Sequence, residues 1–192
     1  EITTRLVGSE MCIRDRYVGW GGLADAFDPD KDNWAKEYAE LKGLLSEDEY
    51  AAARSSTLNA HYTSPVVIRS IYDAVEKVGF QSGNILEPSM GVGNFFGMLP
   101  TSMADSRLYG VELDSITGRI AKKLYPQADI TVAGFETTDH RDFYDLAVGN
   151  VPFGQYKVND KAYNKLGFSI HNYFFAKAID QVRPLSLIHI SE

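Results

Sequence analysis

The stretch Asn84–Leu99, "NILEPSMGVGNFFGML", decides how the rest of the chain is read. A short apolar run, Asn84–Leu86, leads into an acid, Glu87, and a proline, Pro88. Two glycines, Gly91 and Gly93, then turn the chain, and Phe95–Leu99 has the composition of a short helix. Glycines at such a turn can take φ > 0 and let backbone come close to a ligand. The same pattern also describes an ordinary tight connection between a strand and a helix. Its neighbours have to distinguish the two.

Downstream the rhythm repeats. Arg107–Val111 reads as a second strand, followed by a helix, Ser115–Leu124, capped by Ser115. Asp129–Val132 and Asp145–Val148 read as third and fourth strands, and Phe168–Val182 as a closing helix. Such alternation predicts an α/β fold with a doubly wound, mostly parallel, Rossmann-like sheet and right-handed crossovers. Ligands then sit at the carboxyl ends of the strands.

Upstream, Ser64 and Pro65 supply an N-cap and a first-turn proline. Val67, Ile68, Ile71, Ala74, Val75 and Val78 follow at helical spacing, so a helix is predicted over Pro65–Val78, ended by Gly79. Trp34–Leu45 has helical spacing too, with Leu41, Leu44 and Leu45 on one side. Ser46-Glu47-Asp48-Glu49 is a capping box that opens a further helix to about Leu58. Tyr17–Asp32 is glycine-rich and aromatic and reads as an ordered cap, with Trp20 and Trp34 as packing residues.

The two ends read differently. Met11-Cys12-Ile13-Arg14-Asp15 resembles the translation of a transposase-type sequencing adapter, and Leu185–Glu192 resembles its reverse complement. Residues 1–16 and 185–192 are therefore set aside as adapter-derived. That leaves an N-terminal loop and helical segment, 17–58, and a partial domain, 59–184, truncated at its C-terminal side. The single cysteine, Cys12, goes with the first end, so disulfides and thiolate metal sites are excluded for the remainder. Absence of cysteine fits a reducing compartment, and a cytoplasmic location is expected. The set-aside ends hold three Arg against four acids, so the net charge moves from −7 to −6. A mildly acidic chain is a poor general match for nucleic acid. No apolar run approaches the roughly 18 residues of a membrane span.

Glu112 closes the second strand about 20 residues beyond the glycines, where an acid can bind both hydroxyls of a ribose. A glycine turn plus such an acid fits either a dinucleotide or S-adenosylmethionine. A dinucleotide turn wants a third glycine where this chain has Phe96, and Glu87 would set negative charge beside a pyrophosphate. A sulfonium ligand with a free amino group suits Glu87 better, so S-adenosylmethionine is the expected cofactor.

In "YDLAVGNVPFGQY", Tyr144–Tyr156, the fourth strand ends in Asn150, Val151, Pro152 and Phe153. The fourth strand lies across the switch point from the first, so its end faces the ligand. Asn150 can accept a hydrogen bond from an amino group. A rigid carbonyl at Pro152 can accept a second, and Phe153 offers a flat face to a planar base. An amine attacking a sulfonium methyl needs positioning more than a strong base.

These elements together resemble the amino-methylating, adenine-specific DNA methyltransferases, a class I S-adenosylmethionine-dependent family. Its signature after the fourth strand is Asn/Asp-Pro-Pro-Phe/Tyr; Asn150, Pro152 and Phe153 match it, and Val151 departs from it. The resemblance makes Asn150, Pro152 and Phe153 the catalytic group. "HYTSP" resembles the family's element ahead of the glycine turn, implying that Tyr62, Thr63 and Pro65 hold the methionine part of the cofactor. "LEPSMGVGNF" resembles its cofactor turn, with Glu87, Pro88, Gly91 and Gly93, and Glu112 its ribose acid. "AGFE" matches only in part: Phe135 would flank the cofactor adenine, while Gly134 stands where the family often has an acid. The resemblance spans about Leu58 to Val182. "YVGWGGLADAFD" extends the likeness to the methylase region of large methylase–helicase polypeptides of bacterial mobile elements, implying fusion to a helicase and a recognition region.

The implied partner is DNA, with the target adenine flipped out. Tyr156, Lys157, Lys161, Tyr163 and Lys165 interleave just after the site, and read either as a solvated loop or as phosphate contacts beside a flipped base. His61, His140 and His171 lack metal-ligand spacing and read as satisfied polar residues. Two other functions stay open: methylation of a protein glutamine amide, and a non-catalytic module that binds cofactor or DNA.

Overall fold

The computed structural model describes residues 20–21, 23–57, 63–154 and 157–191. Tyr62, Tyr156, His61 and the segment 1–16 lie outside the described residues. The chain divides into two compact units, Glu1–His61 and Tyr62–Glu192.

In the first unit, helices α1 (Ala35–Leu44) and α2 (Glu47–Ser56) follow two short 3-10 turns, Ala24–Phe27 and Asp32–Trp34. The capping box is formed in full. Ser46 Oγ accepts from the Glu49 amide, and the Glu49 carboxylate accepts from the Ser46 amide. Ala26, Phe27, Tyr50 and Ala53 make a small core, with Trp20, Trp34 and Leu41 packed against it. Leu44, expected on the same face, is exposed.

The second unit contains β1 (Asn84–Glu87), β2 (Arg107–Glu112), β3 (Asp129–Val132), β4 (Tyr144–Asn150) and β5 (Val182–Ser191). Its helices are α3 (Pro65–Lys77), the single turn α4 (Asn94–Gly97), α5 (Ser115–Leu124) and α6 (Ile170–Gln181). All strand pairs are parallel, in the order β3-β2-β1-β4-β5. β1 and β4 are therefore neighbours across the point where the winding reverses.

Burial follows from that order. β4, with a strand on either side, is apolar through Leu146, Ala147 and Val148, as a parallel strand covered on both faces must be. β3, at the edge, buries Ile130 and exposes Asp129 and Thr131. Helix α3 turns Ile68, Ile71, Tyr72 and Val75 onto Ile85, Leu146 and Val148. Each such side chain contributes roughly 1.5–3 kcal/mol by leaving water. Val67 and Val78, expected on that stripe, face solvent instead. The cap of α5 is Asp114, whose carboxylate accepts from the Thr117 amide at 2.9 Å; Ser115 is the first helical residue.

Strand β5 adds a fifth strand to the four read from the sequence. The segment set aside as adapter-derived, from Leu185 onward, pairs with β4 from Leu146↔Leu187 to Asn150↔Ser191. Its physical basis is an alternating, β-branched run laid on the open edge of an apolar strand. The join is irregular. Tyr144 pairs with Val182 and Leu146 with Leu187, so two residues of β4 advance against five of β5. Leu185, at the slip, has φ +69° and is fully exposed.

Candidate active site

The carboxyl ends of β1, β2 and β4 bring most of the expected residues together. Glu87 closes β1 and is 2% exposed. Its Oε2 is buried and has no hydrogen-bond partner among the described residues. Burial first, and then the charge of Glu112, hold its carboxyl well above the ordinary carboxylate range. Pro88 beside it is buried.

The turn that follows is fixed from two sides. The Met90 amide donates to Val111 O at 2.9 Å, and the Gly91 amide to Glu112 Oε2 at 2.8 Å. Gly91 has φ +56° and Gly93, the N-cap of α4, has φ +80°. A Cβ on Gly93 would lie 2.5 Å from a Tyr125 ring carbon, and the Tyr125 hydroxyl donates to Gly93 O. Gly93 thus answers to packing as well as to backbone conformation. Phe96, where a dinucleotide turn wants glycine, is buried edge-on to Tyr125.

Glu112 closes β2. Its two oxygens accept from the amides of Gly91 and Asp114, each at 2.8 Å. Burial pushes its carboxyl up to about 7, against the pull of those amides. The Leu113 amide adds to that pull, and a carboxylate offers about four acceptor directions, so the group still has room for a ribose hydroxyl.

The end of β4 is tied to the same turn. Ser89 Oγ donates to the backbone oxygen of Asn150 at 2.6 Å. Gly149 lies against β1 so closely that a Cβ there would meet Glu87 Cγ and Pro88 Cδ at 3.4 Å. Asn150, Pro152 and Phe153 are half-buried at this end. Val151, the departure from the expected signature, is 2% exposed and belongs to the main apolar cluster.

The segment after Phe153 is held by an ion pair that the sequence reading did not single out. Lys177 Nζ donates to Asp160 Oδ2 at 2.8 Å and to Glu136 O at 3.1 Å, with the lysine side chain 5% exposed. The Tyr173 hydroxyl donates to the same Asp160 oxygen at 2.8 Å. Burial alone would raise the Asp160 carboxyl; the bonds from Lys177, Tyr173 and the Ala162 amide hold it below its usual value. A signal was present. Ile170, Tyr173, Phe174, Lys177, Ala178 and Gln181 share one buried face of α6, so a lysine on that stripe needed a buried anion.

Other expected residues fall elsewhere. Thr63 Oγ1 is buried with no hydrogen-bond partner among the described residues, while Pro65 opens α3 in solvent. Phe135 is 3% exposed and stacked on Phe174 with centroids 5.0 Å apart, so it is a core ring. Lys157, Lys161 and Lys165 are exposed. Tyr163, interleaved with them, is buried and donates to Asp180.

No family model matches the chain. Among curated proteins it is 28% identical over 134 residues to "Defense against restriction protein B" of Escherichia phage P1, covering 67% of this chain and 6% of that protein. It is 34% identical over 93 residues to the type II methyltransferase M.CvrRI of Paramecium bursaria Chlorella virus XZ-6E, covering 48% of this chain and 24% of that one. The chain thus spans less than a quarter of each of these relatives.

Among solved structures it superposes with a TM-score of 0.56 on a Listeria monocytogenes protein assigned to the class I S-adenosylmethionine-dependent methyltransferases. Identity is 17%, over 87% of this chain and 55% of that one. A modification subunit assigned to a type I restriction enzyme of Vibrio vulnificus gives 0.50 at 15% identity, over 78% and 35%. The parallel sheet with flanking helices is the Rossmann-like fold of class I methyltransferases. Among the described residues, no helix is long and apolar enough to cross a membrane, and no cluster of His, Cys, Asp and Glu could hold a metal ion.

Proposed function

We propose that this chain carries the cofactor site and the target-holding loop of an S-adenosylmethionine-dependent methyltransferase acting on the exocyclic amine of adenine in DNA. The observation that carries this reading is the Ser89–Asn150 bond. It ties the glycine turn to the end of β4 beside a buried carboxyl whose Oε2 lacks a partner. A ligand ammonium would supply the donor that Glu87 lacks, and a ribose would use the remaining acceptor directions of Glu112. Thr63 Oγ1, also buried and unpartnered, is a further acceptor or donor for the methionine part.

When bound, S-adenosylmethionine would supply an electrophilic methyl group. Asn150 would accept one hydrogen bond from the target amine, a carbonyl at Pro152 a second, and Phe153 would stack on the base. The target amine, once methylated, would release its proton to solvent. The relatives named above include a methyltransferase and a restriction-modification subunit, which supports DNA as the substrate class. The chain covers only 6% of the phage protein, which supports a place within a longer polypeptide; a helicase and a recognition region in it are what the resemblance to methylase–helicase polypeptides implies.

Asn150→Ala tests the reading: methyl transfer should disappear while binding of S-adenosylmethionine persists. Loss of both together would count against the role given to Asn150.

A further inference from the structure

Ser89 lies between two residues whose backbones are held. Pro88 before it is buried and has its φ fixed by the ring, and the Met90 amide after it donates to Val111 O at 2.9 Å. The Ser89 hydroxyl therefore starts from a set position. It donates to the backbone oxygen of Asn150 at 2.6 Å.

The sheet leaves a place for that bond. β1 and β4 pair through Ile85↔Leu146 and Leu86↔Ala147. Pro88 has no N–H, so it cannot donate to β4 and carry the ladder on toward Asn150. A side chain supplies the donor instead.

Asn150 is the last residue of β4, and Val151–Phe153 belong to no helix or strand. The Asn150 carbonyl is part of the peptide that joins it to Val151. A peptide is planar, so holding its oxygen fixes how the chain leaves the strand. The Val151 side chain is 2% exposed in the main apolar cluster. The strand end is thus gripped by the cofactor turn on one side and by the core on the other.

We propose that Ser89 is a positioning residue for methyl transfer, setting the aim of the Asn150 side chain at the target amine through the Asn150 carbonyl. The assignment rests on the function proposed above and adds a residue to it. An amine and a sulfonium methyl react only when brought into line at close range. A bond from the cofactor turn to the target loop keeps the two reactants in register.

The test compares the full chain with its Ser89→Ala and Ser89→Thr variants by two readouts. Asn150-Val151 is the one Asn-Val pair in the sequence. Isotope labels at the asparagine backbone carbonyl carbon and the valine nitrogen therefore give a single carbonyl–amide NMR signal, from that peptide. Ser89→Ala should move its carbonyl carbon upfield, as loss of a hydrogen bond does, and Ser89→Thr should restore it. In methyl transfer to DNA, Ser89→Ala should lower kcat by a factor of roughly 10–100 with S-adenosylmethionine binding unchanged, and Ser89→Thr should recover most of that. A signal that stays in place in Ser89→Ala would overturn the bond and the proposal with it. A moved signal with kcat unchanged, or with kcat and cofactor binding falling together, would overturn the positioning role and leave the function standing. A wild type that transfers no methyl group to DNA would overturn the function and the positioning role together.

Discussion

Replacing Asp160 with alanine strips the Lys177 ammonium of the carboxylate that faces it at 2.8 Å. The two side chains are 10% and 5% exposed, so water cannot stand in for the missing charge. What remains to Lys177 is the Glu136 carbonyl at 3.1 Å, and the Tyr173 hydroxyl loses its acceptor as well. Breaking one side of such a buried pair costs about 3–5 kcal/mol. A domain is stable by only about 5–15 kcal/mol, so the loss is about a fifth or more of the total. Both tryptophans, Trp20 and Trp34, belong to the other unit, so urea unfolding is followed by tyrosine fluorescence or far-ultraviolet circular dichroism, and should show a lower midpoint at constant slope. Asp160→Ala with Lys177→Met should recover much of the loss, since no uncompensated charge is left.

The pH dependence has a definite sign. The folded Asp160 carboxyl titrates below its ordinary value of 3.8, so its contribution is present above that value. It is lost as pH falls through the lower folded value, and wild type and Asp160→Ala should converge there. A loss under about 1 kcal/mol near neutrality would refute the reasoning. So would a double variant no better than the single one. The consequence reaches the candidate active site, because this pair holds the segment that follows Phe153.

Four further outcomes are expected. Glu87→Gln should weaken S-adenosylmethionine binding about tenfold or more in calorimetry, the loss of one charge-assisted hydrogen bond. Since burial raises the Glu87 carboxyl, wild-type stability should fall as pH climbs above about 4.5, and the glutamine variant should flatten that slope in urea midpoints at pH 5 and pH 8. Cofactor affinity should rise as pH passes through about 7, where Glu112 becomes a full carboxylate acceptor for ribose hydroxyls; Glu112→Gln should remove that rise. Gly93→Ala, with φ +80° and a Cβ 2.5 Å from Tyr125, should cost about 1–3 kcal/mol and shift the thermal midpoint downward accordingly.

How far the sequence reaches depends on what kind of physics places a residue. Asn84–Glu87, Asp129–Val132 and Pro65–Lys77 were legible because strand and helix periods are local properties. The placement of Glu87, Gly91 and Glu112 around one turn followed from the crossover rule, which converts chain order into space. Phe135 could not be placed that way. Whether the ring at a 3-10 turn points to a ligand or to Phe174 is settled by packing from α6, far along the chain. The helix stripe was drawn too wide at Val67 and Val78 because composition does not record where the facing sheet ends. Val151 read as a defect in a signature, whereas its burial shows a core position that apolar bulk satisfies. Strand β5 was missed because its residues were set aside on their resemblance to an adapter, and an open sheet edge accepts an apolar strand whatever its origin.

The most direct test of the central claim is transfer of a labelled methyl group. The chain is given labelled S-adenosylmethionine with unmethylated DNA and, separately, with a protein mixture. Label in DNA that digests to N6-methyladenine is the predicted result. Label in protein alone, or cofactor binding with no transfer to either, would contradict it.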